Sequence, residues 1–196
     1  AAPEDATTED VRGYLVHLVR ERKVSRSYHS QAVSALRLLF DRVLGRDTVM
    51  EGIPRPKKER RLPTVLSRAE VEALIECTRN PAHRAQVMLL YSAGLRVSEL
   101  VRLRPGDLDR DRGLLHVRGG KGRKDRYTLL SERALRAVDV HLRFEPRADP
   151  WLFPGGSRKD RHLTTRSVQK VVTRAAGKTG IAKKVTPHTL RHSFAT

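Results

Sequence analysis

Cysteine, aromatic side chains and long apolar runs are all scarce in this sequence, and each scarcity excludes a class of protein. Cys77 is the only cysteine among 196 residues, so no disulfide can form within one chain and a reducing compartment is expected. Only 5% of the residues are aromatic, which argues against a platform that stacks the bases of single-stranded nucleic acid. The longest uncharged stretch, AQVMLLYSAGL, is too short to span a bilayer. The sequence therefore predicts a cytoplasmic protein that has no membrane segment.

Acidic residues are also few relative to basic ones. Lys and Arg number 40 against 22 Asp and Glu, which gives a formal net charge of +18 and a pI of about 11.1. The basic residues occur along the whole length, so a polyanion is the expected partner. Together with the low aromatic content, this pattern favours a protein that grips the phosphates of double-stranded DNA.

Helical periodicity dominates the sequence and predicts a mainly α fold with one small antiparallel sheet, an α+β class. Residues 1–53 contain two amphipathic helices, the first capped at Thr7 or Thr8, and are predicted to be a partial helical domain because two helices make only a thin core. The expected apolar stripes are Val11, Tyr14, Leu15, Leu18 and Val19 in the first helix, and Val33, Leu36, Leu39, Phe40, Val43 and Leu44 in the second.

Residues 54–64 form a proline-rich and strongly basic segment that is predicted to link two domains. Its three prolines forbid a regular helix. A solvated hinge is one interpretation, but an extended strap along a DNA backbone is favoured because the rest of the chain is basic too. The residues predicted to contact DNA in this strap are Arg55, Lys57, Lys58, Arg60 and Arg61.

Residues 65–196 are predicted to form the second domain. Ser67 and Glu70 form a capping box for its first helix, and the next helix, HRAQVMLLYSA, is apolar on most sides and should be central. Strands are expected around LLHVR and RYTLL, joined by the turn GGKGRKD, with a third short strand at 107–109. WLFPGG is predicted to be a loop. Thr186 is predicted to cap the last helix, with Pro187 at its first position. Cys77 lies in an apolar-periodic run and is expected to be buried.

Three basic sites in this second domain suggest chemistry on a phosphate. They are Arg96 at a helix start, Lys121 in the glycine-flanked turn, and the pair His188 and Arg191, which share one helix face. Arginine forks suit the non-bridging oxygens of a phosphoryl-transfer transition state, and Lys and His can move protons. Glu99, three residues after Arg96, could hold the neighbourhood in place.

Each of these residues also has an ordinary structural explanation. A lysine in a GKG stretch is most often a surface residue, and GGKGRKD lacks the Gly-Lys-Ser/Thr ending of a nucleotide-binding loop. His188 and His192 have the spacing of zinc ligands, but position 189 is Thr where that motif requires Glu, and no third ligand is evident. No metal and no other cofactor is therefore predicted.

Three stretches in a fixed order, AGLRVSELVRL, GKGRKDR and TPHTLRHSFAT, resemble the signature segments of the tyrosine recombinases, also called phage integrases. The helical N-terminal part, the basic linker and the helix of LSRAEVEAL resemble the same family, so the resemblance covers nearly the whole chain. Lys121 is preferred over Lys124 because it occupies the family's Gly-Lys-Gly position. The resemblance implies that Arg96, Lys121, His188 and Arg191 are catalytic and that Glu99 supports the site. His192 is a further candidate for a supporting residue, and Arg123 and Lys124 in the turn are further candidates for DNA contacts.

The resemblance also implies a fold and a reaction. The expected fold is a C-shaped clamp around duplex DNA, in which a partial SAM-like core-binding domain at 1–53 precedes a catalytic domain at 65–196. The expected reaction is site-specific strand cleavage and rejoining through a 3′-phosphotyrosyl intermediate, without metal or high-energy cofactor. Four protomers are expected to assemble on two DNA sites.

One departure from the family pattern concerns the nucleophile. The family continues past the His-x-x-Arg pair to a further His or Trp and then to the nucleophilic tyrosine. The tyrosines here all precede that pair, so we expect a sequence truncated at both ends, unable to cleave DNA although its longer parent would. These tyrosines are Tyr14, Tyr28, Tyr91 and Tyr127.

The subfamily and two rival functions stay open at this stage. VHLVRERKVS and RRLPTVLSRAEV lean toward integron integrases, but the span from the hairpin to WLFPGG is too short for the insert typical of that group, so Xer-like, phage and transposon integrases remain equal candidates. The first rival is a non-catalytic DNA-binding protein that kept the clamp. The second is a basic RNA-binding or ribosome-associated protein, which would not bring Arg96, Lys121, His188 and Arg191 together.

Overall fold

The computed structural model describes residues 2–55, 62–119, 124–145, 149–156 and 158–194. The chain divides into two compact units, residues 1–61 and residues 62–196. Both units are mainly helical, and small antiparallel sheets occur in the second, which confirms the predicted fold class. In the described part of the chain no helix combines the length and the apolar character that crossing a membrane requires.

The first unit is built on two helices, α1 (Thr8–Arg20) and α2 (Arg26–Arg37). Thr7, one of the two predicted caps, is the N-cap of α1, and Asp10 completes a capping box that was not predicted from the sequence. The chain continues from α2 into a π-helical segment, Leu38–Val43, and short 3₁₀ helices lie at Pro3–Asp5 and Asp47–Met50. The buried core of this unit comprises Val11, Leu15, Leu18, Val33, Phe40, Val49, Met50 and Ile53.

The π-helical segment corrects part of the predicted apolar stripe. A π turn places hydrogen bonds between residues five apart, as between Leu44 N–H and the Leu39 carbonyl at 2.9 Å. The wider turn rotates later residues away from the face that a regular α-helix would bury. Val43 is therefore 69% exposed although the α-helical spacing predicted burial. In α1, Tyr14 and Val19 are likewise about half exposed because they border the buried stripe.

The second unit packs its helices around α4 (Pro81–Ser92). Leu89 and Leu90 of this helix are fully buried, which confirms that it is central. The helices around α4 are α3 (Arg68–Glu76), α5 (Val97–Leu100), α6 (Glu132–Phe144), α7 (Thr165–Ala176) and α8 (Pro187–Phe194).

Side-chain caps set the beginnings of these helices where the sequence predicts them. The Ser67 hydroxyl accepts from Glu70 N–H at 3.2 Å, and Glu70 accepts from Ser67 N–H at 2.7 Å, which completes the capping box before α3. The Thr186 hydroxyl accepts from Thr189 N–H at 3.2 Å at the start of α8. Cys77 ends α3 and is only half-buried, so the expectation of full burial was wrong.

The predicted three-stranded antiparallel sheet is confirmed, with β1 (Leu108–Asp109), β2 (Leu114–Val117) and β3 (Arg126–Leu129) in that order. Val117 pairs with Arg126 at the end of the hairpin that leads to the turn. WLFPGG, which was predicted to be a loop, contains the strand β4 (Pro154–Gly155), and this strand pairs with β5 (Arg158–His162) in a second hairpin. Its strand RKDRH has no apolar alternation, so sequence periodicity could not reveal it.

Candidate active site

The site begins where α4 ends and the chain turns into α5. Gly94 has φ +56°, a left-handed conformation that lets α4 stop and Arg96 take the N-cap position of α5. One turn later, the carboxylate of Glu99 accepts from the Arg96 backbone N–H at 2.8 Å and from the Arg96 guanidinium at 2.8 Å. The predicted support of Arg96 by Glu99 is therefore a double contact.

A second arginine, Arg126 at the start of β3, binds the same carboxylate. Its two terminal nitrogens donate to the two oxygens of Glu99, each at 2.8 Å, in a bidentate pair. No role for Arg126 was predicted from the sequence. It closes the motif GKGRKDR, and that position was the only signal that could have drawn attention to it.

Arg191 of α8 also lies beside Glu99. Its guanidinium donates to the carbonyl of Gly94, 97 residues earlier, and lies 3.6 Å from a carboxylate oxygen of Glu99. That carbonyl lies just past the end of α4, where a cation is favoured by the helix dipole. Arg96 and Arg191, far apart in the sequence, therefore meet at one carboxylate, which the RNA-binding alternative did not predict.

The packing of α8 fixes the direction of Arg191. The preceding residue, Leu190, is fully buried and anchors the helix in the core. The hydroxyl of the buried Ser193 accepts from Leu66 N–H at 2.9 Å, which ties α8 to the segment before α3. Phe194 packs over Gly94 so closely that a Cβ atom on Gly94 would lie 2.5 Å from its ring.

Three guanidiniums around one carboxylate leave the site with two net positive charges. Burial would raise the pKa of Glu99, but hydrogen bonds from Arg126 and then from Arg96 outweigh it and lower that pKa to about 2. The pKa of Arg191 is lowered, chiefly by burial and next by the charge of Arg96. Among the described residues, the bonds of Arg96 and Arg191 use only one terminal nitrogen of each, so other donors remain for an anion.

Comparison with known proteins agrees with this geometry. A model of the phage integrase family matches residues 64–196, and a model of the phage integrase N-terminal SAM-like domain matches residues 1–49. The chain belongs to the phage integrase family. The site at Glu99 lies within the residues that the family model matches.

Individual relatives of this phage integrase are similar over nearly its whole length. A Sinorhizobium fredii protein named "Putative integrase/recombinase y4qK" is 40% identical over 99% of this chain, which spans 63% of that relative. Tyrosine recombinase XerA of Thermococcus kodakarensis is 40% identical over 98% of this chain and 68% of its own length. The crystal structure of XerH recombinase bound to difH substrate has a TM-score of 0.77 at 22% identity, covers 98% of this chain and 59% of its own, and shows the same fold.

The two histidines predicted for the site of this integrase are exposed on α8. His188 precedes Arg191 by one turn, and its ring centroid lies 6.4 Å from that of His192. The described residues contain no cluster of three or more His, Cys, Asp or Glu side chains that could hold a metal ion.

The predicted lysine of the site and several predicted DNA contacts fall outside the described residues. These are Lys121 and Arg123 in the turn, and Lys57, Lys58, Arg60 and Arg61 in the linker. Arg55 and Lys124 are described and are exposed.

The base of the hairpin turn is held by polar contacts. Gly119 N–H donates to Asp125 at 2.8 Å, and His116 lies 3.1 Å from the other oxygen of Asp125. The buried carboxylate of Asp107 accepts from the Arg118 side chain at 2.7 Å. The two contacts of Asp125 join the strands that lead into and out of the turn, and the contact of Arg118 joins the first of these strands to the segment before β1.

Proposed function

We propose that this phage integrase acts in site-specific DNA recombination, in which DNA strands are cleaved and rejoined through a 3′-phosphotyrosyl intermediate. The observation that carries the proposal is the meeting of Arg96 and Arg191 at Glu99, with guanidinium nitrogens left for a phosphate. The family membership and the net charge of +18 support DNA as the substrate.

The proposed chemistry is phosphoryl transfer onto a tyrosine. The tyrosine hydroxyl gives its proton to a base as its oxygen forms a bond to phosphorus, the bond from phosphorus to the 5′ oxygen breaks, and an acid gives a proton to that leaving oxygen. Arg96 and Arg191 stabilise the charge on the non-bridging oxygens, and removing one such donor costs about 3–4 kcal/mol of barrier. His188 and Lys121 are the proposed proton-transfer groups. Rejoining is the reverse step, and the covalent bond conserves the energy it needs.

We further propose that the 196 residues supply the phosphate-binding part of the site but not the nucleophile. Tyr91 packs half-buried in the core of the second unit, and Tyr127 on β3 stacks on His116 at a ring distance of 5.0 Å. We propose that neither tyrosine serves as the nucleophile. This chain is therefore expected to bind DNA without cleaving it.

The proposed partners are duplex DNA and further copies of the protein. XerH recombinase is bound to its difH substrate in the structure compared above, and this chain shares its fold. We propose that the longer protein assembles as a homotetramer on two DNA sites, as the family resemblance implies. We also propose that Arg55, Lys124 and the basic residues of the linker contact DNA phosphates.

The rejoining half of the reaction can test the proposal in the chain as it stands. A nicked duplex carries a p-nitrophenyl phosphodiester at the 3′ end, and the nitrophenol takes the place of tyrosine. Attack by the neighbouring 5′-hydroxyl forms the phosphodiester and expels p-nitrophenolate, which is measured by its absorbance. A pool with randomised sequence around the nick removes the need to know the target, because ligated products are read by sequencing.

We expect p-nitrophenolate release by the unmodified chain and its loss in Arg96→Ala and Arg191→Ala. Arg110→Ala is the matched control, since Arg110 pairs with Asp139 elsewhere in the unit. DNA binding without release would instead support the non-catalytic DNA-binding alternative.

A further inference from the structure

The carboxylate of Glu99 accepts four hydrogen bonds from two arginines. Each of its oxygens accepts one bond from the Arg126 guanidinium and one from Arg96, all at 2.8 Å. Arg96 donates its backbone N–H to one oxygen and its guanidinium to the other. A carboxylate offers about four acceptor positions, so these four bonds saturate it. Arg191, at 3.6 Å, lies beyond hydrogen-bond distance from the same group.

We infer that Arg126 is a positioning residue for the proposed strand-exchange reaction: by occupying Glu99, it keeps Arg96 and Arg191 directed at the scissile phosphate. The inference rests on the proposed function. Arg126 commits both terminal nitrogens to Glu99, so it acts through that carboxylate and not on the phosphate.

The distances indicate what the loss of Arg126 would do. Two acceptor positions on Glu99 would become open, and the Arg191 guanidinium is less than 1 Å outside hydrogen-bond range. Arg191 would then move toward Glu99 and away from the Gly94 carbonyl that now orients it. A displacement of about 1 Å in a catalytic group can cost about 10²-fold in rate.

The fold makes Arg126 a rigid support. β3 pairs with β2, and the hydroxyl of Thr128, two residues further on, donates to the carbonyl of Ala93 at 3.0 Å. This contact fixes the strand against the same end of α4 that holds Arg191. The bidentate pair therefore connects the sheet to α5, and Arg191 of α8 lies 3.6 Å from the same carboxylate.

The test compares Arg126→Met and Arg126→Lys in the nitrophenyl-DNA assay. Single-turnover rate constants report the chemical step, and fluorescence anisotropy reports DNA affinity separately. Arg133→Met is the matched control, because Arg133 makes the same bidentate contact with Glu72 on another face of the unit. Circular dichroism shows whether each variant is folded.

We expect Arg126→Met to lower the single-turnover rate constant about 10²-fold while DNA affinity changes less than about threefold. Arg126→Lys keeps the positive charge but lacks the bidentate guanidinium, so its rate constant should be about tenfold higher than that of Arg126→Met. Arg133→Met should stay within about twofold of the unmodified chain, because it removes an equivalent pair away from the site.

A double-mutant cycle with Glu99→Gln separates positioning from direct contact. If Arg126 acts through Glu99, adding Arg126→Met to Glu99→Gln should lower the rate less than about threefold further. A full additional 10²-fold loss would show that Arg126 contacts the phosphate itself and would overturn the inference.

A readout without DNA keeps failure of this inference distinct from failure of the proposed function. Carbon-13 NMR of the Glu99 carboxyl should show its pKa rising in Arg126→Met, because hydrogen bonds from Arg126 are the largest influence that lowers it. If the unmodified chain releases no nitrophenolate, the proposed reaction is refuted. The titration still measures whether Arg126 stabilises the ionised carboxylate of Glu99. An unchanged titration in Arg126→Met would overturn the inference by itself.

Discussion

Glu99→Gln should destabilise the fold by an amount that depends on pH. The substitution keeps the size of the side chain and removes the charge that three guanidiniums surround. Glu99 is buried while the three guanidiniums are only partly buried, and removing their one anion leaves these cations without a charged partner, which is costly wherever solvent does not compensate.

The size of the effect follows from the lowered pKa of Glu99. That pKa falls from the ordinary 4.5 to about 2. Each pKa unit corresponds to about 1.4 kcal/mol, so ionised Glu99 contributes about 3 kcal/mol of folding free energy at neutral pH. Because the folded pKa is depressed, this contribution is complete above about pH 4.5 and is lost as pH falls through the folded value.

Urea unfolding at two pH values measures this directly. At about pH 7 we expect Glu99→Gln to lower the free energy of unfolding by about 3 kcal/mol, and at about pH 3 by about half of that. Other carboxylates also titrate in this range, but they are common to both proteins and cancel in the difference. Glu132→Gln is the control, because Glu132 is 87% exposed in its pair with Arg136, and its substitution should change stability little at either pH.

A difference between Glu99→Gln and the unmodified chain that is equal at both pH values would refute the reasoning. It would show that the substitution acts through packing and not through the charge of Glu99.

Three further outcomes are expected. Gly94→Ala should cost about 1–3 kcal/mol from its left-handed backbone alone, and more because the new Cβ meets the Phe194 ring. Gly180→Ala is the control for backbone strain, because Gly180 has φ +70° and open space where a Cβ atom would lie. If thermal unfolding shows that the two substitutions lower stability equally, the contact with the Phe194 ring plays no part. Ser193→Ala should cost about 1–3 kcal/mol by leaving the buried Leu66 N–H without an acceptor, measured by urea unfolding, and no loss would contradict that contact's importance. Raising the salt from about 50 to about 200 mM should weaken duplex DNA binding about 10²-fold if about four phosphates are neutralised, and salt-independent affinity in fluorescence anisotropy would contradict phosphate recognition.

Local chemistry made much of this fold predictable from sequence. Capping boxes, an N-cap before proline and a glycine at a helix end act within a few residues, so Ser67, Thr186 and Gly94 marked element boundaries correctly. The pairing of Arg96 with Glu99 was predictable for the same reason, since one helical turn separates them. The family resemblance added the expectation that Arg191 would join them.

The remaining features depend on contacts that sequence spacing does not reveal. Arg126 lies 27 residues from Glu99, and nothing in its strand distinguishes it from the many other arginines of a highly basic chain. The π-helical segment after α2 arises from a hydrogen-bond shift that apolar periodicity does not encode. The contact of Arg126 with Glu99 and the π-helical segment are both features that local sequence rules do not predict.

The saturated carboxylate also limits how this integrase can respond to acidity. Glu99 stays ionised far into the acid range, and guanidiniums keep their protons throughout the physiological range. The net charge of this cluster is therefore the same in acidic and in alkaline cellular conditions. Any pH dependence of the proposed reaction must originate outside the three guanidiniums and their carboxylate.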